Sequence, residues 1–151
     1  MQQEIDTRLS TGEGLEIAGL AVRLARRLGA ARICLHGCPH LREQIEDEGM
    51  DAGGVKSPKA VKLRNSVTIV RFDAGALAER LEFLSGATKR AEAVVVYGPD
   101  GMLHGTGDQG YEAVGEALEE AGHRIVWGGL IASDIRHYER HDIGFVLSRP
   151  H

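Results

Sequence analysis

The densest collection of reactive side chains in the sequence is Cys34-Leu35-His36-Gly37-Cys38-Pro39-His40. Pro39 suits the first position of a helix, where a missing N–H costs nothing and the ring already holds a helical φ. Cys38 would then stand at a helix N-terminus, where unpaired N–H groups and the helix dipole favour the thiolate. Nucleophilic thiol chemistry needs such a low-pKa sulfur and an imidazole to orient or deprotonate it. The spacing therefore predicts Cys38 as the reactive thiol, with His36, Asp73 and His104 as its polar participants. Cys34 alternates with Ile33 and Leu35 in a strand-like run and is expected to be a small core residue. Cys-x-x-x-Cys also differs from the Cys-x-x-Cys of disulfide oxidoreductases.

The same segment admits a metal reading, since His36, Cys38 and His40 carry donors that suit zinc or copper. His137 and His141, four apart, would share one face of a helix. Neither set follows a recognised zinc pattern, and no metal is assigned.

Gly105-Thr106-Gly107-Asp108-Gln109-Gly110 fits G-x-G-x-x-G and opens a helix, so its N–H groups could be directed at a phosphate. It departs from the dinucleotide fingerprint, because residues 98–104 separate it from the preceding strand and no acidic residue ends the next one. Gly105, Gly107 and Gly110, with Gly128 and Gly129 on an adjacent connection, are assigned to binding a small anionic ligand. Lys56, Lys59, Lys62 and Arg64 form the one concentrated basic stretch and read as a solvated face.

These groups need a frame. Ile17, Leu20, Ala21, Leu24 and Leu28 recur at helical spacing, with Ser10 and Glu13 as a capping box and Gly29 as terminator. Strand signals follow at 32–36, 66–72, 91–97, 124–127 and 143–147. Between them lie helices opened by Pro39 and by Asp73, another over 111–121, and a short one from Ser133 to about Arg140. Residues 50–58 read as a loop, and Gly98-Pro99-Asp100-Gly101 as a turn that could return the chain in a hairpin. Alternating strands and helices predict one α/β domain of three layers, with a mainly parallel sheet of about five strands and an N-terminal helix. Ligands of such sheets bind beyond the carboxyl ends of the strands, which is where His36, Asp73, the 98–110 stretch, Gly128-Gly129 and Ser148 are expected.

Composition narrows the function classes. The chain has 151 residues, 42% hydrophobic and 26% charged, enough for one sizeable core. A formal charge of -4 and 5% aromatic content leave no broad basic surface or stacking platform, so nucleic acid is not expected as a partner. No apolar run is long enough for a membrane helix, and the first residues lack a signal-peptide pattern, so a cytoplasmic location is expected. Two readings follow. One is a small-ligand-binding protein or enzyme with its site at the carboxyl ends of the strands. The other is a non-catalytic structural or assembly subunit of a homo-oligomer or larger particle.

Overall fold

The computed structural model describes residues 15–56, 63–87, 90–99, 109–135 and 139–151. Helix α1 (Leu15–Leu28) buries Ile17, Ala21 and Ala25 and half-buries Leu20, Leu24 and Leu28. Gly29 ends it in the left-handed region, φ 70°. Ala30 N–H then reaches back to Ala25 O at 2.8 Å, a six-residue closure that needs the missing Cβ. Strand β1 (Arg32–His36) leads through a 3-10 turn (Pro39–Leu41) into α2 (Arg42–Asp47). Leu41 at the end of that turn and Ile45 of α2 point inward, as their spacing predicts.

Strands β2 (Asp51–Gly54), β3 (Ser66–Arg71) and β4 (Ala93–Pro99) follow. A 3-10 turn (Ala74–Ala76) and helix α3 (Leu77–Ala87) connect the last two. Helix α4 (Gln109–Glu120) precedes a long hairpin of β5 (His123–Ile135) and β6 (Glu139–Pro150).

The sheet order is β2-β1-β3-β4-β6-β5. Three pairings are parallel, and both pairings of β6 are antiparallel. The sheet is therefore mixed and six-stranded, which corrects the expectation of a mainly parallel sheet of about five strands. Apolar residues of alternate parity serve two cores, so helices cover both faces. Ile33, Leu35, Val67, Ile69, Val95 and Tyr97 pack with α1 and α2. Cys34, Val70, Val94, Val96 and Val146 pack with Phe83 and Leu84 of α3 and Val114 and Leu118 of α4.

Along the strands, Ile33, Val67, Ile69, Val94, Val96 and Val146 are fully buried. Ile125 is only partly so. Two readings change. Residues 51–54 are an edge strand rather than a loop, because their backbone pairs with β1 although Asp-Ala-Gly-Gly has little β-propensity. Residues 133–135 and 139–140 are hairpin rather than helix, with Ile135 opposite Glu139. Trp127 lies on the outermost strand and is 55% exposed. Ser10, Glu13 and the proposed return strand after residue 101 lie outside the described residues.

Ile69 is buried in the middle of β3 against α1 and the 3-10 turn. Ile69→Ala is expected to cost about 2–5 kcal/mol, by lost transfer energy and a retained cavity. Urea denaturation with an unchanged slope measures it, and a loss below about 1 kcal/mol would contradict this packing.

Candidate functional site

The connection after β1 runs through α2 on one face of the sheet, whereas the connection after β3 runs through α3 on the other. Strand order reverses between these two neighbours, so β1 and β3 flank a topological switch point. Crossovers that leave in opposite directions open a crevice beyond the carboxyl ends of the strands. Register sets His36 opposite Val70, so Gly37 comes level with Arg71 at that edge.

His36 is 5% exposed and stacks on Phe83 of α3, ring centroids 3.7 Å apart and planes 10° from parallel. Its Nδ1 lies 2.8 Å from Val55 O, and its Nε2 2.6 Å from Glu79 Oε1. Nδ1 faces a carbonyl and must donate. The second contact, not aligned as a hydrogen bond, is attractive when Nε2 also carries its proton, as an ion pair across the crevice.

Arg80 completes the arrangement. Its Nε–H donates to Arg71 O at 2.7 Å, and its Nη1 pairs with Glu79. The guanidinium lies over Gly37, φ 78°, and its Nη2 is 2.5 Å from where a Cβ at that position would sit. Glycine is needed here twice, for the left-handed turn and for the close approach of Arg80. Burial pushes the Glu79 carboxyl up, but the Arg80 hydrogen bond, the charges of His36 and Arg80 and the contact with His36 outweigh it. Glu79 is held below the ordinary carboxylate range.

The structure distributes the sequence-predicted residues as follows. His36 and Gly37 are at the switch point. Asp73 caps the turn that opens α3, its Oδ1 accepting from Gly75 N at 2.9 Å. That is a structural role beside the crevice.

Cys38 immediately precedes the Pro39 turn, as its sequence predicts, but is 0% exposed. Its Sγ lies 3.7 Å from both His36 O and Ile69 O. Burial pushes the thiol up to about 12, although His36, Tyr97, Arg80 and Arg71 each pull it down. The expected lowering is thus reversed, because desolvation of a thiolate in an apolar core exceeds what a three-residue turn supplies. Cys34 is buried as well.

Gly110 falls in the first turn of α4, and His104, Gly105 and Gly107 lie outside the described residues. Gly128 and Gly129 are strand residues opposite Val146 and Phe145, with β6 between them and β4. Most of the 98–110 stretch they were expected to flank, residues 100–108, lies outside the described residues. Ser148 is at the opposite end of the sheet from the crevice, paired with Val94 near the start of β4, because β6 runs antiparallel. Its hydroxyl meets His123 Nδ1 at 3.1 Å in a fully buried pair. Among the described residues no three His, Cys, Asp or Glu side chains form a metal-binding group.

Glu79, Arg80 and Phe83 were not singled out by sequence. The available signal was positional: Asp73 opens a helix directly after β3, so the first turns of that helix overhang the strand end.

No family model matches the sequence, and a search of curated proteins finds no match. Solved structures do match in fold. A Thermoplasma acidophilum protein designated 1320 is 11% identical with a TM-score of 0.51, covering 89% of each chain. A proposed RNA methyltransferase from Pyrococcus horikoshii is 12% identical with a TM-score of 0.53, covering 89% of this chain and 81% of that one. A SAM-dependent methyltransferase from Leishmania major is a weaker likeness at 11% identity and a TM-score of 0.47, over 89% of this chain and 72% of the other. At these identities the first two show a shared fold.

Two outcomes follow. Iodoacetamide at pH 8 should leave both cysteines of the native protein unlabelled and modify both in denaturant. Labelling of native Cys38 at the rate of a free thiol would contradict its burial. Glu79, with a lowered folded pKa, adds stability that is present above its ordinary 4.5 and is lost as pH falls through the folded value. Glu79→Gln should therefore flatten the acid limb of stability as pH falls below the ordinary 4.5, and an unchanged limb would refute the pairing.

Proposed function

We propose that this chain binds a small ligand in the switch-point crevice between β1 and β3, and that S-adenosylmethionine, used as a methyl donor, is the first ligand to test. One observation carries the reading. The fold shared with a proposed methyltransferase has its strand reversal at β1/β3, and there the chain turns on a left-handed glycine, Gly37, with a polar cluster around it.

The residues fit such a ligand in two respects. Gly37 offers a backbone cradle, with the Arg80 guanidinium held beside it by Arg71 O. Glu79 and Arg80 supply an acceptor and a cationic donor for an amino-acid headgroup and for hydroxyls. They depart in one respect. Dinucleotide sites hold ribose with an acidic residue after the second strand, and here Gly54, Val55 and Lys56 follow that course. When bound, S-adenosylmethionine supplies an electrophilic methyl group. This chain's residues would hold and orient it, with His36, stacked on Phe83, and Arg80, held by Arg71 O, as the fixed groups at the strand ends. Thiol chemistry at Cys38 is no part of this reading.

Calorimetric titration with S-adenosylhomocysteine should show saturable one-to-one binding, with amide shifts concentrated at residues 36–37 and 71–80. No saturation at about 1 mM, a binding free energy of only about 4 kcal/mol, would overturn the assignment.

A second reading, the assembly subunit, is favoured by Val126 and Trp127, 46% and 55% exposed on the outermost strand. Sedimentation velocity decides it: a dimer that Trp127→Lys disperses supports assembly through this edge, and a monomer at all concentrations refutes it.

A further inference from the structure

We infer that Glu79 acts as a built-in stand-in for the acidic group of the ligand, so that the crevice recognises a carboxylate or phosphate and is closed by its own carboxylate when empty. The inference deepens the proposal that this crevice binds a ligand, and it does not depend on that ligand being an adenosyl compound.

The two oxygens of Glu79 are divided between two partners: Oε1 faces His36 Nε2 at 2.6 Å, and Oε2 meets the Arg80 guanidinium at Nη1. Both partners are anchored independently. His36 is stacked on Phe83 and held by Val55 O, and Arg80 is held through Nε by Arg71 O. Both are also well shielded, with side chains 6% and 13% exposed, whereas Glu79 is 48% exposed.

A fixed, shielded imidazole and guanidinium thus converge on an anion that is itself tethered only by a flexible, half-solvated arm. Fixed donors converging on a negative oxygen are the usual arrangement for carboxylate and phosphate recognition. Residues adjacent in a helix do not ordinarily face each other. Glu79 and Arg80 meet because Arg80 is drawn over the strand end at Gly37 while Glu79 reaches His36. An acidic ligand arriving at Gly37 would take the same donors, and Glu79 would swing into solvent. The competition is an exchange of one anion for another, so it weakens binding by the modest worth of a half-exposed pair.

The test uses inorganic phosphate as the probe, followed by amide shifts of Gly37 in the full chain. Glu79→Gln should bind phosphate about twofold to fivefold more tightly than the unaltered protein, and Glu79→Gln combined with Arg80→Gln should lose the gain. Glu82→Gln, an exposed carboxylate one turn further along α3, removes the same charge away from the crevice and should change affinity by less than about twofold. Equal affinity in Glu79→Gln and the unaltered protein, or an equal gain in Glu82→Gln, would overturn the inference. Thermal melting of each variant checks folding. S-adenosylhomocysteine binding to the unaltered protein reports separately on the ligand proposed above. Its failure alongside a phosphate gain in Glu79→Gln would remove the adenosyl ligand and keep the acidic-group site.

Discussion

Two parallel neighbours, β1 and β3, pair along five residues and then part, because the chain after one passes through α2 on one face and the chain after the other through α3 on the opposite face. No crossover can cover the gap this leaves at their carboxyl ends. Whatever lines the gap must come from the strand ends themselves and from the start of the following helix. In this chain those groups are His36 and Gly37 from β1, Arg71 from β3, and Glu79, Arg80 and Phe83 from α3. The buried strand interior, with Ile33, Ile69 and Val95 on one side and Val70, Val94 and Val96 on the other, fixes register and so fixes how these ends meet.

The crevice is consequently a place of opposing charges in partial solvent. Arg80 would leave an unbalanced cation against the sheet edge if it stood alone, and Glu79 balances it while remaining exposed on one side. Cys38, two residues from His36, experiences the opposite environment. Its sulfur turns into the core beneath α1 rather than toward the crevice, and its thiol is pushed up to about 12. Two neighbouring residues of one turn thus belong to a polar edge and to an apolar interior.

That division explains what the sequence could disclose. Runs rich in Val and Ile reveal β1, β3 and β4 because buried strands demand them. The register of Cys34 and His36 on one side and Ile33 and Leu35 on the other follows from simple alternation. β2 is hidden because Asp51-Ala52-Gly53-Gly54 has little β-propensity and is placed by its backbone pairing with β1. The hairpin over 123–150 reads locally as strand, helix and strand, since Ser133 resembles a cap and His137 and His141 are at helical spacing. Pairing of Ile135 with Glu139 overrides those local signals. His36 and Gly37 were legible as strand-end residues. Glu79 and Arg80 were not, because an acid followed by a base in an exposed helix is ordinary, and only the switch-point topology gives the pair a destination.

Everything at the switch point turns on Arg80 lying across it, fixed on Arg71 O and over Gly37. The side-chain Nε–H resonance of Arg80, assigned by Arg80→Lys, reads that placement. Its signal should be dispersed, exchange its hydrogen more slowly than the exposed Arg23 and Arg26, and shift when an acidic ligand occupies the crevice. An Arg80 Nε–H that exchanges as fast as those exposed arginines would show the side chain to be free in solvent instead.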